Sequence, residues 1–254
     1  MNQLMNEPYF AFFAIGAVLL AGLSKGGFGG GLGFIGVLAL AQISSPAQAV
    51  AVMLPILCVM DLIGVWAYRE NWHRPSMRIL GVGCLIGTVI GMLTFKWMDE
   101  QAVRLIVGVI AVAFFVDFFR AGGEKAVART FSDPVGYTLG TISGFTSFVI
   151  HAGLPPVAMY LLPQRLDKRV HVGTIVVLFF LINYAKIIPY WWLGLLTIQN
   201  LSISLVLLPI APIGMFIGIK FNHFIPQKWF MRASYTILLL LGIRLLYEGL
   251  VPII

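Results

Sequence analysis

The chain has 254 residues, 59% of them hydrophobic and 11% charged, and its mean hydropathy is +0.94. No polar block is long enough to fold apart from the apolar stretches, so a soluble globular domain is excluded. A formal net charge of +7 would suggest nucleic acid in a soluble protein. Here the basic residues gather in short loops between apolar segments, the pattern of cytoplasmic loops in a polytopic membrane protein, and no nucleic-acid partner is expected.

Residues 1–7 contain no Lys or Arg and no small-residue cleavage site follows, so the first apolar segment is expected to be retained rather than removed as a signal peptide. Gly, Pro and charge clusters then predict apolar segments near 9–23, 27–43, 46–68, 77–96 and 102–119 in the first half. The second half gives 135–149, 152–163, 171–192, 199–219 and 229–250. About 20 helical residues are needed to cross a bilayer, so the short first two segments of each half read as re-entrant hairpins.

The halves resemble each other. Ile86-Gly87 and Ile90-Gly91 match Ile213-Gly214 and Ile217-Gly218, Gly31-Leu32 matches Gly153-Leu154, and Asp61 then falls opposite Asn183. Charge supports the same division: loops with Arg69, Arg74 and Arg78, with Arg120, Lys125 and Arg129, and with Arg165, Lys168 and Arg169 alternate with acidic or uncharged ones. A hairpin that returns to its own side plus three crossings inverts the second half. A count of five crossings per half inverts it as well. The expected fold is an all-α polytopic membrane protein with two inverted repeats, each a broken or re-entrant helical hairpin plus three transmembrane helices. It forms a single transmembrane domain over 1–254, with repeats near 8–120 and 134–250. Such a plan brings two broken elements together around a substrate site and suggests a transporter.

The first hairpin carries Ser24-Lys25-Gly26-Gly27-Phe28-Gly29-Gly30-Gly31. Read as a turn, it exposes backbone amides at the start of the next helix, where unpaired N–H groups and the positive dipole end favour an anion. Lys25 adds a full charge, and a lysine deep in a hairpin is costly unless paired or hydrated. In the second half, Ser143, Thr146 and Ser147 offer hydroxyls, His151 can donate or carry a proton, and Pro155-Pro156 can open a helix. Ser and Thr also commonly satisfy the backbone of a broken helix. Asp61 is expected to pair with Lys25 or to carry a proton. Asn183 is its neutral counterpart, and Lys186, one turn on, reads as a substrate contact or as a side chain snorkelling to the interface. Tyr190, Trp191 and Trp192 suggest an interfacial aromatic belt, and Arg244 with Glu248 a helix-surface ion pair.

No Walker-type loop, metal-ligand spacing or Ser/His/Asp set is present, so neither an enzyme nor a metal or other cofactor is expected. Cys58 and Cys84 lie within apolar runs and read as buried thiols. The stretches GLSKGGFGGGLG, SGFTSFVIHAGLPPVAMYLLP and VGTIVVLFFLINYAKIIPY resemble the TauE/SafE sulfite exporter family, also called TSUP, over nearly the whole chain. The resemblance implies movement of sulfite, an organosulfonate or a related small anion across the prokaryotic cytoplasmic (inner) membrane. It points to Lys25, Gly26, Gly27, Gly29, Gly30, Thr146, Ser147, His151, Asn183 and Lys186 as substrate contacts, while Asp61 and His151 are, by their own chemistry, the candidate proton carriers. The expected partners are the anion and the lipid bilayer, with a homo-oligomer left open. An anion channel and a non-transporting membrane assembly factor are the alternative readings.

Overall fold

The computed structural model describes residues 8–29, 40, 46–97, 99, 101, 105, 108–109, 112, 116 and 128–251. The expected segments 27–43 and 102–119 therefore fall almost wholly outside the described residues. Among those described there are nine α-helices and no strand: α1 (Pro8–Phe28), α2 (Pro46–Tyr68), α3 (Arg74–Thr94), α4 (Asp133–Ile150), α5 (Leu154–Leu161), α6 (Lys168–Trp192), α7 (Ile198–Leu207), α8 (Ile210–Phe224) and α9 (Gln227–Leu250). The stretches Ala47–Tyr68, Arg74–Trp97 and Lys168–Trp192 are long and apolar enough to cross a membrane. α7 and α8 add a fourth span if they are counted as one bent element. The chain is a multi-pass membrane protein.

The expected single crossing at 199–219 is instead two helices meeting at 48°. Pro209 lies in the break; it has no N–H to continue the ladder, and its ring opposes the preceding turn. The first segment departs in the other direction. It was expected to end near residue 23, but α1 carries the helix through Ser24, Lys25, Gly26 and Gly27 to Phe28.

The chain divides into two compact units, residues 1–72 with 172–224 and residues 73–171 with 225–254. Each draws helices from both halves of the sequence. In the first unit α1 lies against α8 at backbone distance: a Cβ on Gly26 would sit 2.4 Å from the Met215 carbonyl oxygen, and one on Gly218 would sit 2.3 Å from that of Leu23. Small residues are what permit such approach between membrane helices. α2 is fastened to α7 by Ser204 Oγ donating to the Val52 carbonyl at 2.7 Å and by Gln48 Nε2 donating to Asn200 Oδ1 at 3.2 Å. Two residues past the end of α6, Gly194 at φ +71° turns the chain so that the Leu195 N–H reaches back to the Tyr190 carbonyl.

In the second unit α3 and α4 make a contact of the same kind. A Cβ on Gly87 would meet the Thr141 carbonyl oxygen at 1.9 Å, and one on Gly144 would meet that of Cys84 at 2.0 Å. α4 then breaks at His151 and the chain returns through the eight residues of α5. At about 1.5 Å per residue α5 rises about 12 Å, well short of a bilayer core of about 30 Å. Near the other end of the hairpin, Ser76 Oγ donates to Gln164 Oε1 at 3.1 Å, and the Gln164 amide donates to the Tyr160 carbonyl. The Gln227 side chain holds the loop before α6, accepting from the Lys168 N–H and donating to the Leu166 carbonyl.

Two glycines test this packing. Alanine is the better helix former by up to about 1 kcal/mol, yet Gly144→Ala is expected to destabilise the detergent-purified protein by about 1–3 kcal/mol, because the added carbon strikes backbone that cannot rotate away. Gly16 has nothing within 4 Å of its Cβ position. Gly16→Ala should leave the thermal unfolding midpoint unchanged or slightly raised in the same assay.

Candidate functional site

The first unit closes the carbonyl end of α1 with three donors. The Gly29 N–H reaches the Lys25 carbonyl at 3.1 Å, the Tyr68 hydroxyl the Gly26 carbonyl at 2.7 Å, and Asn222 Nδ2 the Gly27 carbonyl at 2.8 Å. A helix end leaves such carbonyls unpaired, and in an apolar setting each must find a donor. Gly29 is left-handed at φ +82° and packs against Ile175, where a Cβ would come within 2.8 Å of the side chain. Lys25 lies in the last turn, where a cation offsets the negative end of the helix dipole.

The Lys25 ammonium lies 2.8 Å from Asp61 Oδ1, with the two side chains 4% and 0% exposed. The other carboxylate oxygen, Oδ2, accepts from Asn183 Nδ2 at 2.7 Å. The ring of Phe179 covers the ammonium at 5.9 Å. Lys186, one turn beyond Asn183 on α6, is completely buried. Among the described residues, α1, α2 and α6 thus gather Lys25, Asp61 and Asn183 in one buried polar cluster.

In the second unit the hairpin tip is built from its own hydroxyls. Ser143 Oγ donates to the Gly153 carbonyl at 2.7 Å, and Thr146 Oγ1 lies 3.0 Å from the Ala152 carbonyl and 2.8 Å from that of Ile142. His151 is buried in the left-handed conformation at φ 55°, and its N–H closes onto the Ser147 carbonyl at 3.2 Å. Ser147 is buried beside it in the chain. α5 opens with Leu154-Pro155-Pro156, and the two prolines remove two of the amides that a helix start would otherwise present.

Several expectations change. Gly26 and Gly27 are helical and Gly29 closes that helix, so these residues form a carbonyl end and not an amide-rich helix start; Gly30 lies outside the described residues. The hydroxyl protons of Ser143 and Thr146 are directed at carbonyls. Lys186 does not snorkel: no part of it is exposed. Tyr190 is also fully buried and leaves the aromatic belt to Trp191 and Trp192, which are 71% and 70% exposed. Arg244 does pair with Glu248, but the carboxylate is buried rather than on the helix surface. Tyr68 and Asn222 were not anticipated. The need to pair the last carbonyls of a helix ending in glycine was the signal that could have led to them.

A comparison with protein families matches the family described as Sulfite exporter TauE/SafE over residues 14–245. The chain belongs to the TauE/SafE family. Comparisons with curated proteins and with solved structures find no match. The match spans both units and every residue of the Lys25 cluster and of the α4–α5 tip. A TauE/SafE member is a transporter by family and not an enzyme, and a sulfite or related anion-exporter role follows at that level.

The buried pair can be tested by thermal unfolding in detergent. Asp61→Leu leaves the Lys25 charge uncompensated and is expected to cost about 3–5 kcal/mol. Lys25→Met combined with Asp61→Leu removes both charges and should recover more than half of that loss.

Proposed function

We propose that this TauE/SafE member is a secondary transporter that exports sulfite or a small organosulfonate across the prokaryotic cytoplasmic membrane, with Lys25 supplying the charge that holds the anion. One observation carries the reading: in a chain of an anion-exporter family, an enclosed lysine stands at the break of an apolar helix, held among the described residues by one carboxylate that an anion can rival. A buried cation of this kind is expensive in a membrane protein and marks a substrate path by default. Asn183 and Lys186 complete the polar lining on the same side of the reading, while Thr146, Ser147 and His151 belong to the second hairpin.

The inverted-repeat plan draws support from contacts at a constant offset. Gly214 packs on the Leu19 carbonyl as Gly87 packs on that of Thr141, and Leu19 and Thr141 are separated in sequence by the same interval as Asp61 and Asn183. Gly29 and His151 are related by that interval too, and both take the left-handed conformation that closes a helix. Glycine meets the backbone requirement in the first case without strain. A histidine at the matching position therefore argues that its imidazole is kept for the anion or for a proton. In this reading one repeat moves against the other and exposes the anion alternately to the two sides.

His151→Gly separates the side chain from the backbone it occupies, since glycine is at ease at φ 55°. The variant should unfold at the wild-type temperature or above it and lose at least about tenfold of saturable sulfite flux in proteoliposomes, consistent with the loss of one substrate-binding donor. Lys25→Met should lose the flux altogether. Sulfite flux that keeps its rate and saturation in both variants overturns the site assignment.

A further inference from the structure

The two oxygens of the Asp61 carboxylate have unlike partners. Oδ1 lies 2.8 Å from the Lys25 ammonium on α1, and Oδ2 accepts from Asn183 Nδ2 on α6 at 2.7 Å. Lys25 and Asp61 are both buried, so they form a neutral pair in a place where an uncompensated charge is strongly disfavoured. Within a helical turn of Lys25, Asp61 or Asn183 on these helices, the other titratable side chains are Cys58 on α2 and Tyr184 and Lys186 on α6. α7 has no titratable side chain, and Lys220 and His223 of α8 are exposed. Whatever charge those groups carry, an anion set against Lys25 adds one negative charge to the cluster. It also takes from Oδ1 the cation that compensates it, and a bare carboxylate would be left in the enclosed site.

We propose that the cluster takes up a monovalent sulfo-oxyanion together with one proton, and that the proton is added to Asp61 Oδ1. The Lys25–Asp61 ion pair opens, Lys25 pairs with the anion, and a proton from bulk water forms an O–H bond at the oxygen the ammonium has left. Charge balances at both ends of the step. Before binding, Lys25⁺ and Asp61⁻ sum to zero; afterwards Lys25⁺, the neutral Asp61 acid and the anion again sum to zero. Oδ2 keeps the Asn183 N–H throughout, because the carbonyl oxygen of a neutral acid accepts that bond as the carboxylate does. The carboxyl is thereby held in place while its other oxygen exchanges a cation for a proton. Anion and proton each raise the affinity for the other, and they leave together, so a full transport cycle moves no net charge. This inference rests on the transporter reading above and adds to it the identity of the coupled ion and the atom that carries it.

The test is titration calorimetry of the full-length detergent-purified protein with methanesulfonate, a probe that stays monovalent over the whole working pH range, in two buffers of different ionisation enthalpy. Wild type should take up about one proton per anion bound, and its affinity should fall by about tenfold per pH unit on the alkaline side. Asp61→Asn puts a carboxamide where the neutral acid would stand; it should bind methanesulfonate with no proton uptake and with an affinity that no longer falls as pH rises. A second measurement needs no variant. Asp61 is the one buried aspartate among the described residues. In infrared difference spectra, wild type carrying isotope-labelled aspartate carboxyls should gain the shifted C=O band of a protonated aspartic acid when methanesulfonate binds. Size-exclusion and unfolding profiles establish whether Asp61→Asn is folded, and the infrared spectrum carries the test if it is not. Wild-type binding without proton uptake, proton uptake that persists in Asp61→Asn, loss of binding in the folded variant, or no protonated aspartate band overturns the proposal while leaving an anion carrier in place. If methanesulfonate does not bind to wild type, the proposal fails, and sulfite flux in proteoliposomes then decides separately whether the transporter reading stands.

Discussion

Backbone groups freed at a helix break have no water to turn to inside a bilayer, and this structure is organised around meeting that demand twice. At the end of α1 the donors come from elsewhere in the unit: Tyr68 from α2 and Asn222 from α8. At the end of α4 they come from the same helix, through Ser143 and Thr146. The first solution draws distant helices onto α1, and the second makes the α4–α5 hairpin self-sufficient. Each unpaired carbonyl avoided is worth on the order of 1–3 kcal/mol. A break in a membrane helix therefore persists only where such partners are supplied.

Meeting that demand also places the charge. Because α1 runs on to Phe28, Lys25 comes one turn before the break and faces α2 and α6 at a point where no surface is available to its ammonium. Its positive charge answers the carbonyl end of α1 and the Asp61 carboxylate together. The same glycines that let α8 approach fix the register of this turn, since Gly26 meets the Met215 backbone with no room for a side chain and Gly27 packs tightly on that of Gly218. Helix contact, carbonyl pairing and the ion pair are thus three consequences of one short stretch.

Most helices could be read from sequence because apolar length, Pro and charge mark their limits: the segment expected at 46–68 is α2 as observed, and 135–149 and 171–192 fall within α4 and α6. The Lys25–Asp61 pair was legible for a similar reason, since two opposite charges buried in apolar segments have few ways to be satisfied. The glycine-rich stretch was not. Local propensity reads five glycines within eight residues as a turn, and only tertiary contacts with α8, Tyr68 and Asn222 hold its first part helical. Lys186 misled in another way. Its position near the end of an apolar run is equally suited to snorkelling, and only the packing around α6 decides that it turns inward.

The chemistry of the cluster follows from how many claims are made on one lysine. An anion that approaches Lys25 competes with Asp61, and Asp61 cannot move away freely because Asn183 holds its other oxygen. Simple displacement would leave a bare carboxylate in an enclosed site, an outcome costlier than the contact it replaces. Lys186 lies one turn beyond Asn183 and is as deeply buried, so the residue that anchors Asp61 and a second enclosed lysine are positioned by one element.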